Sequence, residues 1–109
     1  MSSPIKLVQG DNRPYIKLTL TNSDGTALDV SSVLTTVVVK MRAVGSTTLI
    51  ATLSCSKPNG GADGVVQFNF PAATLQIAAG SYEGEIEISF NGEIQTIYDK
   101  LKFSVREQF

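Results

Sequence analysis

Alternation of apolar and polar residues, cut at short intervals by turn residues, is the feature that most restricts how this chain can fold. The clearest case is 81–90. There Tyr82, Gly84, Ile86, Ile88 and Phe90 share one side, and Glu83, Glu85, Glu87 and Ser89 share the other. A period of two belongs to a strand with one buried face and one wet face. The segment 15–21 repeats it, with Ile16, Leu18 and Leu20 set against Tyr15, Lys17, Thr19 and Thr21. Further strands are predicted over 5–9, 36–43, 49–56, 65–70 and 93 to about 106, with a brief restart at 27–30. Asn22-Ser23-Asp24-Gly25, Gly45-Ser46, Ala79-Gly80 and the loop 57–64 separate them. These are turn residues because Gly accepts positive φ and Asn or Asp side chains bond nearby backbone. Asn91-Gly92 is the strongest short hairpin signal a sequence can carry. Residues 72–76, after Pro71, predict a single helical turn.

The expected core holds Ile16, Leu18, Phe68, Ile86 and Ile88. The closing strand changes phase: Ile94, Thr96 and Tyr98 have one parity, and Leu101, Phe103 and Val105 have the other. A bulge or bend between Tyr98 and Lys102 that adds one residue would turn both sets toward one core. Val37-Val38-Val39 places apolar side chains on both faces, so part of that strand is expected to be covered twice. Tyr82 follows a Gly turn at the start of the penultimate strand, where immunoglobulin-like sandwiches often bond a Tyr hydroxyl to upstream backbone. The expected fold is all-β: an immunoglobulin-like antiparallel β-sandwich of about seven strands, forming one domain over residues 1–109.

Composition narrows the chemistry. A chain of 109 residues matches one domain. Nine basic and ten acidic residues give a net charge of −1, which argues against a nucleic-acid platform. The chain has no His, which removes Ser-His-Asp and Cys-His nucleophile systems and every His-ligated metal site. Met1-Ser2-Ser3-Pro4 does not read as a signal peptide, and no apolar run approaches the ~18 residues of a membrane span. Synthesis in a reducing cytoplasm is expected, with the single Cys55 packed as a small hydrophobe.

The candidate sites have modest readings. Glu83, Glu85 and Glu87 project from one face of one strand, a convex row and not a convergent pocket. A simple hairpin register sets Glu83 opposite Lys100. Gly60-Gly61-Ala62-Asp63-Gly64 leads into a strand, whereas a phosphate loop leads into a helix. Asp24, Asp29 and Asp63 read as turn residues and lack the spacing of a calcium loop. No catalytic, cofactor or metal residue is expected. Arg13 and Tyr15 are candidate partner contacts, since exposed Arg and Tyr are enriched in interface hot spots. Val37 or Val38, whichever faces outward, and Asn59 and Gly60 in the longest loop complete that set. Charged residues make up 17%, against ~25% in a typical domain. Extra apolar surface from Val37-Val38-Val39, Leu49-Ile50, Ile94 and Tyr98 is expected to be hidden against a partner or under a loop.

Several stretches carry a resemblance. They are Ile5-Lys6-Leu7-Val8-Gln9-Gly10-Asp11, Arg13-Pro14-Tyr15-Ile16-Lys17-Leu18-Thr19-Leu20, Asp24-Gly25-Thr26 and Val37-Val38-Val39-Lys40-Met41-Arg42. Ala79-Gly80-Ser81-Tyr82-Glu83-Gly84-Glu85-Ile86 and Thr96-Ile97-Tyr98-Asp99-Lys100-Leu101-Lys102-Phe103 extend it over almost the whole chain. Together they resemble the N-terminal immunoglobulin-like domain of phage baseplate upper proteins. The resemblance implies a non-enzymatic bacteriophage virion protein of the tail or baseplate. It would be present in multiple copies, with other virion proteins as partners and neither nucleic acid nor membrane. Longer members continue past the sandwich while this sequence closes at Phe109, so docking is the expected role and not receptor recognition. The competing expectations are a capsid decoration protein and a host-surface or carbohydrate-binding module. The absence of Trp weighs against the latter.

Overall fold

The alternating segments fold as strands in the computed structural model, which describes residues 4–71, 74–97 and 100–108; among the described residues there is no helix. In chain order they are β1 (Ile5–Val8), β2 (Ile16–Thr19), β3 (Thr35–Ala43), β4 (Leu49–Ser54), β5 (Val65–Phe68), β6 (Gly80–Phe90), β7 (Glu93–Thr96) and β8 (Leu101–Arg106). A six-stranded sheet runs β1-β8-β6-β3-β4, with β7 also paired to β6. A two-stranded sheet, β2-β5, packs over it. Neighbours are antiparallel except β1 on β8, which run parallel with Ile5 beside Phe103 and Val8 beside Arg106.

The two layers meet through the alternating apolar sets. Leu18, Phe68, Ile86 and Ile88 are buried as expected, and Ile16 is partly buried against them. Phe68 and Phe70 pack edge-to-face with each other at 5.7 Å, and each does the same with Phe103 of the large sheet, at 6.5 and 6.0 Å. This arrangement directs ring edges at ring faces, the favoured geometry for aromatic pairs. The restart at 27–30 is not a strand. Ala27 forms one bridge to Thr21, and Leu28 and Val30 enter the core from a loop. The Tyr82 hydroxyl donates to the Ala78 carbonyl at 2.5 Å, the upstream backbone bond its position predicts. Asn91 and Gly92 both take positive φ, 51° and 97°, and so form the hairpin turn between β6 and β7. Of the expected helical turn at 72–76, Ala72 and Ala73 lie outside the described residues. The Thr74 N–H closes a turn onto the Pro71 carbonyl at 3.2 Å.

The closing strand is interrupted where the phase change suggested, but with a different outcome. Glu87 faces Thr96 on β7, and Gly84 faces Leu101 on β8. Between these pairs β6 places two residues and the closing segment four, so two residues are extra. An even insertion preserves the phase. Ile94 therefore sits opposite Ser89 on the outer face, 59% exposed, and does not join Phe103 in the core. The reason is that the small sheet does not cover β7. Its inward residue Gln95, opposite Ile88, is exposed too, so neither face of β7 rewards an apolar side chain with burial. Tyr98 and Asp99, within the interruption, lie outside the described residues.

Gly84 stands where β6 passes under Phe103. A Cβ there would lie 2.9 Å from the Phe103 ring and 2.9 Å from a Val39 methyl. Overpacking at such a point costs roughly 1–3 kcal/mol. Gly84→Val should therefore lower the unfolding free energy by that amount, read as a lower urea midpoint with an unchanged slope. An unaltered midpoint would mean that the ring is free to move aside.

Candidate functional site

The sequence-derived contact residues occupy three separate places. Arg13 and Tyr15 are exposed on the connector leading into β2, which the Asn12 carbonyl ties to Phe70 and Asn69. Asn59 and Gly60 lie beyond the other end of β2, because the loop ends at Gly64, whose carbonyl accepts the Leu20 N–H at 2.8 Å. That loop is tied down internally: Asn59 Nδ2 donates to Asp63 Oδ2 at 3.1 Å, and Lys57 Nζ donates to the Ser32 and Thr35 carbonyls at 2.9 and 2.6 Å. The valines resolve the choice left between them. Val37 is 2% exposed and belongs to the core, so it presents no contact surface; its neighbour Val38 faces outward and is half-buried. Alternation requires this split, since Val37 lies opposite Ile88 and Val38 opposite Glu87.

Strand register arranges the outer face of the large sheet in rows. One row runs Thr96, Glu87, Val38, Ser54, and another runs Lys102, Glu83, Arg42, Leu49. The two-residue insertion places Lys102, not Lys100, directly opposite Glu83. Lys100 still approaches Glu83 Oε1, at 3.9 Å, while Arg42 Nε donates to Glu83 Oε2 at 2.7 Å. Lys40 Nζ reaches diagonally to Glu87 Oε2 at 2.9 Å. Two members of the acidic row, Glu83 and Glu87, are thus paired with cations from β3 and with Lys100 just before β8, and Glu85 is its exposed member. A recess of about 40 Å³ among Lys40, Arg42, Glu83 and Lys100 has room for a water molecule and little more. Apolar Val38, Leu49 and Ile94 lie scattered between these charges.

The remaining polar groups serve the turns. Asp24 Oδ1 accepts from the N–H and hydroxyl of Thr26, Asp29 Oδ1 from the Ser31 N–H, and Asp63 Oδ1 from the Val65 N–H. These bonds favour the ionised carboxyl and hold all three below the usual carboxylate range. Among the described residues no three His, Cys, Asp or Glu side chains gather as a metal site, and no helix is long and apolar enough to cross a membrane. Cys55 follows β4, partly buried against the core, and burial pushes its thiol up to about 11.

A feature that sequence reasoning missed is a groove of about 700 Å³. It runs between β2 with its following turn, Lys17 to Ser23, and a wall formed by Ile86, Gln95, Thr96, Ile97 and Leu101. It exists because, among the described residues, β2 has no strand on its second side and because the ladder of the closing segment is interrupted between Thr96 and Leu101. Neither cause is visible in local residue pattern.

Two measurements follow. At pH 8 the Cys55 thiolate is roughly one part in a thousand, so alkylation by iodoacetamide should run at least about a hundredfold slower than for an exposed cysteine. It should quicken about tenfold per pH unit up to pH 10, and mass spectrometry of the modified chain reads it. Alkylation at the rate of an exposed thiol would contradict the burial. For the aspartates, the folded pKa lies below the unfolded one. Their stabilisation is therefore present at neutral pH and lost as pH falls through the depressed values. Urea midpoints should decline below about pH 4, and less steeply in Asp24→Asn. Compared with known proteins, the chain matches no family model and no curated protein sequence.

Proposed function

We propose that this chain is a non-enzymatic structural protein of a bacteriophage particle, an immunoglobulin-like domain of the tail or baseplate that works by docking to other virion proteins. The observation that carries this reading is the strand order. β3, β6 and β8 lie side by side in one sheet and β2 and β5 pair in the other, with the Tyr82 hydrogen bond at the entry to β6. That is how an immunoglobulin-like sandwich distributes its strands and places its corner tyrosine. It agrees with the domain type that the sequence resemblance implies. The chemistry points the same way. Two carboxylates of the acidic row, Glu83 and Glu87, are engaged by Arg42, Lys40 and Lys100, and the Cys55 thiol is held protonated. What the domain presents outward is strand edges and a mixed surface of paired charges and apolar side chains. Surfaces of that kind give partner and register selectivity through charge complementarity.

A capsid decoration protein is the second reading, favoured by the same small, single-domain sandwich. Cryo-electron microscopy of particles from a phage encoding the chain separates the two. Density at the tail tip supports the baseplate reading, density on the shell supports decoration, and absence from purified particles overturns both.

The outer face of the large sheet also has a direct test. Val38→Lys places a cation directly opposite Glu87, where the sheet tolerates it, and disrupts an apolar contact in any docked partner. The folded variant should be lost from purified particles when they are assayed by quantitative mass spectrometry. Incorporation at wild-type copy number would remove this face from the interface.

A further inference from the structure

We propose that the open edge of β2 accepts an extended segment of a partner protein as an added strand. The segment would seat in the groove beside the β7–β8 interruption, with apolar side chains inward and a carboxylate opposite Lys17. The inference deepens the docking reading and rests on it only in taking the partner to be a protein.

The backbone supplies the first argument. The Leu20 N–H donates to the Gly64 carbonyl, and the ladder continues with Leu18 opposite Val66 and Ile16 opposite Phe68. In an antiparallel pair, residues whose backbone groups bond the neighbour alternate with residues whose groups point away. This phase directs the N–H and C=O groups of Lys17 and Thr19 to the side away from β5. Among the described residues β5 is the one strand paired with β2, so that side is an unpaired edge. Such an edge is a template for an extended chain.

The groove supplies the second argument. Two strands do not reach across a six-stranded sheet, and the inner face of the large sheet beside β2 forms the floor next to the edge. Ile86 and Leu101, both buried, and the partly buried Ile97 line that floor, and the groove's volume of about 700 Å³ exceeds the bulk of several side chains. An added strand would turn alternate residues onto these apolar groups, which selects an alternating sequence.

Charge selects the occupant. Among the described residues that line the groove Lys17 is the charged one; it projects on the exposed face of the small sheet, where Asp63 in the loop before β5 is the carboxylate that feels its charge. A carboxylate on the outward side of the added strand would make a cross-strand pair with it. β2 itself reads Ile-Lys-Leu-Thr and carries no carboxylate, so pairing β2 with β2 of a second copy would bring two lysines to one face with no carboxylate on the added strand. The edge thus disfavours its own copy and favours an acidic foreign strand.

The test uses a displayed library of random twelve-residue peptides, selected on the immobilised, folded chain. Enriched peptides should alternate apolar residues and carry Asp or Glu at an outward position. Thr19→Pro deletes an N–H on the open side while leaving the bonds to β5 in place. It should weaken those peptides at least about tenfold. Lys17→Glu should shift the enrichment from acidic to basic peptides. It also carries the test by itself if hydrogen exchange shows that Thr19→Pro disturbs the β5 amides. Failure to enrich any peptide, or enriched peptides indifferent to both substitutions, would overturn the proposal. The selection reads the edge alone and particle composition reads the virion, so either can fail without the other.

Discussion

The edge-to-face contact of Phe68, Phe70 and Phe103 is what lets two strands hold a six-stranded sheet. Most sandwiches share the work of closure between sheets of similar width. Here, among the described residues, the small sheet has β2 and β5 alone, so much of its hold on the large sheet passes through a few large side chains. Buried aromatics bring ~150–250 Å² each to such a junction. The trio gathers at one place because Gly84 leaves room for the Phe103 ring above β6. Leu28 and Val30 add to the core from a loop and extend the cover without adding a strand. The economy of this roof has a direct result: the groove opens beside β2, over the buried Ile86 and Leu101.

The two outward surfaces differ in kind. The outer face of the large sheet is a lattice of ion pairs threaded with single apolar residues. Such a surface resists indiscriminate association, because a partner must satisfy or displace Arg42 on Glu83 and Lys40 on Glu87. The small sheet offers backbone in place of side chains along β2, and it guards that offer with Lys17. In the docking role proposed above the two would serve different ends, one for fit against a broad face and the other for capture of a single segment.

Most of the fold was legible because burial imposes a period of two wherever one sheet face is wet. Segment 81–90 and segment 15–21 expose that period without ambiguity, and the turn at Asn91-Gly92 specifies its own backbone. What escaped depends on register between distant segments. The parity of Ile94 suggests a core residue until β7 is found to lack a covering strand, and no local pattern reports on the width of the opposite sheet. Whether Lys100 or Lys102 meets Glu83 turns on how many residues the interruption holds. Val37 and Val38 are chemically identical, and only their partners across the sheet, Ile88 and Glu87, tell inside from outside. The candidate contacts failed to converge for a related reason: Arg13 and Gly60 are each plausible loop residues, and the length of β2 sets them apart.

The parallel pairing of β1 with β8 has a mechanical meaning. β1 begins beside Phe103 and advances with β8 to Arg106, so the chain enters this pair at one end and leaves it at the other. The Gln9 N–H bond to the Arg106 carbonyl, at 3.0 Å, extends the same ladder. Tension applied through the two flanks of the domain would pull these strands past each other along their length. Every bond of the ladder then bears load at once, whereas a hairpin pulled from its open end parts one bond at a time. A domain wired in this way transmits force through its closing strands before its core is disturbed.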